Sequence, residues 1–233
     1  MIDSHILLIT AASIGFIHTL IGPDHYLPFI MIARARSWSL RKTTLITVLC
    51  GVGHVLGSVV LGLVGVAFGV TLGKLESIES FRGDLASWLL IGFGIAYTVW
   101  GLRIGLRAKV HAHNHDHRDE IHQHAHHHLG NHVHLHGNPN TVTPWTLFII
   151  FILGPCEPLI PVLMYPAAQS DWFALAKVTF VFGTVTITTM TIIVIVIYKG
   201  LVNFNLGFLE KYVHAIAGII IALSGLAIKF LGL

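Results

Sequence analysis

Six long apolar stretches decide what this chain can fold into. They lie at 5–31, 43–71, 85–107, 144–168, 172–198 and 207–232, and each reaches the ~20 residues that a helix needs to cross a bilayer. A mean hydropathy of +0.76 and a charged fraction of 11% leave more apolar surface than one water-soluble core could bury. The sequence therefore predicts an all-α integral membrane protein with six transmembrane helices, embedded in the bilayer of the cell (inner or plasma) membrane.

Two copies of a Gly-Pro break interrupt the apolar pattern. Residues 22–30 read GPDHYLPFI, and residues 154–162 read GPCEPLIPV. Proline lacks a backbone N–H and clashes with the preceding helical turn, so we expect broken helices at Gly22-Pro23 and Gly154-Pro155. In transporters, such breaks present backbone carbonyl groups to a cavity near the middle of the membrane.

Matching glycines in the other spans suggest an internal repeat. Gly53 recurs as Gly183, Gly94 as Gly218, and Gly101 as Gly225. Three spans are an odd number, so a second copy must enter the membrane from the opposite face, which gives an inverted repeat. The predicted divisions are a first three-helix repeat at 1–107, a loop at 108–143 and a second three-helix repeat at 144–233.

Six side chains with metal-ligand chemistry fall near the middle of their spans. A carboxylate at the bilayer centre costs at least ~2.5 kcal/mol, so one that persists there is partnered, solvated or functional. Imidazole, carboxylate and thiolate together favour nickel, cobalt or zinc, because magnesium and calcium take oxygen ligands throughout. We therefore predict a transport site for a divalent transition metal, with no catalytic residue and no permanent cofactor, formed by His18, Asp24, His25, His54, Cys156 and Glu157.

Each of these residues also has a purely structural explanation. Proline suits the first turn of a half-helix, where Asp24 or Glu157 would offset the positive end of the helix dipole. Cys156 would serve as a small core residue, and His54 as a hydrogen-bonded packing residue. The shared depth of the six side chains on a repeat favours a substrate site over these separate explanations.

The loop between the third and fourth spans is rich in histidine. Its low apolar content predicts disorder without metal, and its composition predicts loose capture or sensing of metal ions. A pH-sensing loop is the alternative, since imidazoles titrate near neutral pH. The loop carries His111, His113, His115, His117, His122, His124, His126, His127, His128, His132, His134 and His136.

The charged residues predict how the chain is oriented. Ten of the 14 Lys and Arg residues fall on one side of the predicted spans, which the positive-inside rule makes cytoplasmic. Both termini would then be non-cytoplasmic, the histidine loop would be cytoplasmic, and export would be favoured over import. Because the basic residues flank spans, nucleic acid is not an expected partner, whereas a homo-oligomer is compatible with the sequence.

Two motifs resemble those of metal transporters. HTLIGPDH at 18–25 resembles the His-x4-Asp-His signature of the nickel/cobalt transporter superfamily, although five residues separate His18 from Asp24 here. GHVLGS at 53–58 is similar to a second histidine-bearing helix of that superfamily. With a central histidine loop, the resemblance to its efflux branch implies export of nickel or cobalt through Asp24, His25 and His54.

A third motif points to a different class. GPCEPLIP at 154–161 resembles the Pro-Cys helix of the cytochrome c biogenesis thiol-disulfide transporters, which use one cysteine on each repeat. Here the repeat mate of Cys156 is Asp24, so a transmembrane thiol-disulfide relay would need Cys50 as the second thiol. A metal-dependent hydrolase is a third class, but the sequence offers no substrate pocket outside the membrane, and we expect no enzyme.

Overall fold

Helices form the membrane part of the chain. The computed structural model describes residues 4–107, 111–117, 120–126, 139–202 and 207–232. The helices are α1 (Ser4–Ile21), α2 (Leu27–Ala35), α3 (Leu40–Ala67), α4 (Leu72–Arg107), α5 (Pro139–Leu153), α6 (Leu159–Ala168), α7 (Trp172–Val202) and α8 (Val213–Leu231), with 3₁₀ turns at Pro23–His25 and Gly207–Tyr212.

The first Gly-Pro break bends the chain sharply. α1 ends at Ile21, Gly22 has an extended backbone, and Pro23 opens a single 3₁₀ turn before α2 begins. The two helical segments on either side meet at 81°. The predicted broken helix at Gly22-Pro23 is therefore present, and its bend is too large for one straight span.

The second Gly-Pro break separates two short helices. α5 ends at Leu153, and α6 begins only at Leu159, because Pro155 and Pro158 supply no N–H for a continuous helix. Each apolar part is shorter than a bilayer requires. Among the described residues, four helices are long and apolar enough to span, or five if the bent pair counts as one span, so the predicted six spans are not all found as spanning helices.

Close helix packing surrounds the breaks. α4 lies against α8, α1 against α7, and α3 against α5. Small residues permit the first contact: a Cβ on Gly94 would meet the backbone of Ala222 and Gly218. Many large apolar side chains face outward, among them Phe81, Phe180 and Phe230, as expected for a surface in contact with lipid.

A short hairpin occupies part of the histidine loop. β1 (His111–His117) and β2 (Glu120–His126) pair antiparallel, with His113 opposite His124 in the register. We predicted disorder for the whole of 108–143, whereas these two segments have paired backbones. Alternating sequences suit the two-residue period of a strand. The other predicted loop ligands, His127, His128, His132, His134 and His136, lie outside the described residues.

Candidate metal-binding site at the helix breaks

Three histidines from distant parts of the chain meet beside the first break. His18 lies in the last turn of α1, His25 in the 3₁₀ turn, and His54 in the middle of α3. The ring centroid of His25 is 4.7 Å from that of His18 and 5.1 Å from that of His54. The break at Gly22-Pro23 makes this possible, because seven residues of straight helix would separate His18 from His25 by about 10 Å along the axis.

Hydrogen bonds to Nδ1 orient the rings of His25 and His54 and leave Nε2 of each ring available to a ligand. His54 Nδ1 lies 3.3 Å from the carbonyl oxygen of Phe151, and a carbonyl can only accept, so Nδ1 donates. His25 Nδ1 lies 3.2 Å from the Gly22 carbonyl oxygen and 3.0 Å from Asp24 Oδ1, two further acceptors. In a neutral imidazole the other nitrogen, Nε2, then carries the lone pair that binds a metal.

The Nε2 atoms of all three histidines are buried without a hydrogen-bond partner among the described residues. Buried polar atoms of folded proteins are rarely left unpaired, so three in one cluster make this a candidate binding site. His25 and His54 are each 2% exposed, which excludes bulk water as the partner. Asp24 bonds to Nδ1 of His25 at 3.0 Å, the arrangement by which carboxylates orient ligand histidines in metal sites.

Cys156 completes a group with metal-ligand spacing. Ligand atoms of His18, His54 and Cys156 all lie within 4.8 Å of one another. In a tetrahedral site with metal–N near 2.0 Å and metal–S near 2.3 Å, neighbouring ligand atoms are roughly 3.5 Å apart. A contraction of about 1 Å would therefore let these three side chains bind one ion.

The second break positions the cysteine. The backbone N–H of Cys156 donates to Ser58 Oγ at 3.1 Å, and Cys156 is completely buried. Gly154 lies directly against His54, because a Cβ there would be 3.1 Å from His54 Nδ1. The two breaks thus approach each other across α3, which carries both His54 and Ser58.

The two predicted acids have different surroundings. Asp24 lies within the cluster, bonded to His25, and lines a cavity of about 20 Å³ together with His54 and Gly154. Glu157 is exposed and does not join the histidines. It faces a much larger opening of about 740 Å³, here called the vestibule, which is lined by Gly73, Glu76, Ser77, Ser80, Glu157, Pro158 and Pro161.

Sequence reasoning missed two charged residues next to the site. The predicted spans 43–71 and 85–107 leave Glu79 and Arg82 between them, but α4 begins at Leu72. The side chain of Glu79 is fully buried, and Arg82 Nη1 lies 2.6 Å from its Oε1. An acid three residues before an arginine beside an apolar stretch was the available signal, since that spacing pairs side chains on one helix face.

Comparison with known proteins assigns the family. Residues 28–227 match the family model of the cytochrome c biogenesis protein transmembrane region. The chain belongs to this family. The match supports the resemblance carried by GPCEPLIP, and the comparisons give no support to the nickel/cobalt transporter superfamily. No curated protein and no solved structure matches the chain.

The family match takes in both cysteines and part of the candidate site. The match covers Cys50, His54 and Cys156, and it begins after His18 and His25. Both cysteines are free and buried. Cys50 lies eight residues from Ser58, about 12 Å along α3, whereas Cys156 contacts Ser58 directly. A disulfide requires Cα atoms within about 7 Å, and here Cys50 and Cys156 pack in two separate clusters of buried apolar side chains.

Proposed function

We propose that this protein carries a divalent transition-metal cation across the membrane through the site formed by His18, His54 and Cys156. The observation that carries the proposal is the group of His18, His54 and Cys156 ligand atoms within 4.8 Å of one another. The Nε2 atoms of His18, His25 and His54 also have no hydrogen-bond partner in the described part of the chain. Nitrogen and sulfur ligands favour nickel, cobalt or zinc over magnesium or calcium. Asp24 would offset part of the positive charge of the substrate.

An inverted repeat would let this carrier open its site to either side of the membrane. Reciprocal contacts between two glycines support the presence of such a repeat. A Cβ on Gly94 would lie 2.7 Å from the Gly218 oxygen, and one on Gly218 would lie 2.6 Å from the Gly94 oxygen. These two glycines are the repeat mates that the sequence predicts. Reciprocal contact between equivalent positions is what a two-fold axis produces.

A second pair of contacts is related by the same two-fold symmetry. Gly101 packs on Ala215, and its predicted mate Gly225 packs on Ile91. The offset that relates Gly101 to Gly225 also relates Ile91 to Ala215. α4 and α8 would thus lie next to the pseudo-two-fold axis, with the substrate site between the halves, as in transporters that alternate access by rocking one repeat against the other.

Flux into vesicles tests the proposal. The purified protein would be reconstituted in liposomes that contain a metal-sensitive dye, and nickel, cobalt, zinc, magnesium and calcium would be added outside. We expect flux of at least one transition metal and none of magnesium or calcium. His54→Ala should abolish this flux, whereas His214→Ala should retain it, because His214 on α8 bonds to Tyr97 on α4, away from the cluster. Equal flux through both variants would contradict the proposal.

Transmembrane thiol-disulfide exchange is the second candidate, and the family match favours it. In that function the Cys156 thiolate would attack a disulfide of a partner protein, releasing one partner thiol and forming a mixed disulfide that the Cys50 thiolate then resolves by displacing the second partner thiol. The histidines would assist proton transfer rather than bind metal. A redox titration with thiol alkylation tests it. Reversible formation of a Cys50–Cys156 disulfide, lost in Cys50→Ser, would support the relay, and failure to form one under oxidising conditions would exclude an internal dithiol.

A further inference from the structure

Helix α4 passes three features in a fixed order. Its residues 73–80 line the vestibule, Glu79 and Arg82 form the buried ion pair, and residues 83–90 line the small cavity that also contacts Asp24 and His54. Three residues of helix advance only about 4.5 Å, so the ion pair lies directly between the two spaces. A route along α4 from the vestibule to the histidines would therefore run past this pair.

Arg82 connects the second helix break to α4. Its Nη2 donates to the carbonyl oxygen of Ile152 at 2.8 Å, at the end of α5, while Nη1 donates to Glu79. The guanidinium also fills the space over α3, because a Cβ on Gly57 would lie 2.8 Å from Nη2. Arg82 therefore joins α3, α4 and the end of α5 at one point.

Glu79 brings the Glu79–Arg82 pair next to Cys156, one of the candidate ligands. Its carboxylate lies beside the Ser58 hydroxyl and the backbone N–H of Cys156. Glu79 is fully buried, and Arg82 is the charged side chain that pairs with it. A buried carboxylate in this position can accept a cation that arrives, provided that its arginine moves away.

We propose that the Glu79–Arg82 pair is the gate between the vestibule and the site of His18, His54 and Cys156, and that this structure shows it closed. The proposal rests on that site, whatever its cargo. A fixed guanidinium on the path repels a cation, so the pair must separate before a cation can pass. An incoming cation competes for Glu79 and weakens the bonds that hold Arg82 on the α5 carbonyl group.

Alkylation of Cys156 tests the gate without any transport. In full-length protein carrying Cys50→Ser, purified in detergent, we would measure the rate at which a small water-soluble maleimide modifies Cys156. Arg82→Gln and Glu79→Gln should each raise the rate at least about tenfold, because removing one partner destabilises a buried pair. Arg82→Lys should raise it less, since lysine keeps the charge but lacks the guanidinium fork.

Lys229→Gln is the matched control. It breaks the exposed Lys229–Asp84 ion pair, which joins α4 to α8 and has the same N–O distance of 2.6 Å. Its alkylation rate should stay unchanged, and the unfolding midpoint of each variant would show that it is folded. An unchanged rate in Arg82→Gln and Glu79→Gln, or equal acceleration in Lys229→Gln, would overturn the gate. If Arg82→Gln does not fold, an unchanged rate in Arg82→Lys would overturn it as well.

The outcomes for the gate and for the cargo are independent. Accelerated alkylation supports the gate even in a protein that moves no metal in vesicles. If the protein moves metal in vesicles but the alkylation rate of Cys156 does not change in the Arg82 variants, the carrier proposal stands and the gate proposal is wrong.

Discussion

Gly94 on α4 and Gly218 on α8 contact each other through their backbones. A Cβ added to either glycine would meet the carbonyl oxygen of the other, and one on Gly94 would also meet the backbone nitrogen of Ala222. Because these neighbours are backbone atoms, they cannot move aside as the end of a flexible side chain would. The α4–α8 contact therefore depends on the absence of side chains at both positions.

Gly94→Ala should destabilise the protein by about 1–3 kcal/mol, the usual cost of overpacking. Gly92→Ala is the control on the same helix, since a Cβ there would have nothing within 4 Å. Alanine has the higher helix propensity, so Gly92→Ala should be neutral or stabilising by up to ~1 kcal/mol. Thermal unfolding in detergent compares the two, and equal destabilisation would show that packing at Gly94 is not tight.

Metal affinity should depend on His18 and His54 and not on histidine content in general. In a variant that lacks residues 111–136, His18→Ala and His54→Ala should each lower the affinity for nickel or cobalt at least about tenfold, as expected for loss of one ligand. Equilibrium dialysis measures this. His214→Ala removes another histidine that is bonded to Tyr97, and it should leave the affinity unchanged.

Acidification should weaken the same binding. Imidazole and thiol must be deprotonated to bind a metal, so association releases protons and affinity falls as pH falls. Dialysis at several pH values in the loop-deleted protein would show this dependence, and a pH-independent affinity would mean that the ion binds elsewhere.

Deletion of residues 111–136 should itself change the apparent affinity or the regulation of transport while preserving flux, because the helix breaks do not include this loop.

Local chemistry predicted the breaks, and through them part of the site. Gly-Pro stops a helix wherever it occurs, so the convergence of His18, His25 and His54 followed from depth and from the two breaks. Glu157 shows the limit of that argument. It follows Cys156 directly, but in a non-helical turn one residue is enough to face the other way, and Glu157 lines the vestibule instead.

Glu79 and Arg82 were missed because hydropathy places a span where charge is sparse. α4 begins thirteen residues before the predicted start at residue 85, and within this first part Glu79 is buried and Arg82 is largely buried beside the second break. Pairing removes much of the cost of burying such charges, and it depends on neighbours that lie far away in the sequence. No local scale could supply that information.

The orientation remains a prediction from the distribution of Lys and Arg. A cysteine introduced by Asn131→Cys, in a background with Cys50→Ser and Cys156→Ser, should be shielded from an impermeant maleimide in whole cells and labelled after permeabilisation. Labelling of intact cells would place the histidine loop outside and reverse the predicted direction of transport.

Cys156→Ser separates the two candidate functions most clearly. A metal carrier should keep flux with lower affinity or altered selectivity, because the hydroxyl is a harder and weaker ligand while the imidazoles of His18 and His54 remain. A thiol-disulfide relay should lose all activity, because serine cannot form a disulfide.

Cys50→Ser is the matched control. It should leave metal flux unchanged, since Cys50 lies about 12 Å along α3 from the contact of Ser58 with Cys156. It should nevertheless abolish an internal relay. Vesicle flux and thiol alkylation, measured on the same two variants, therefore give opposite patterns for the two functions, and loss of metal flux in Cys50→Ser would contradict the assignment of the site to His18, His54 and Cys156.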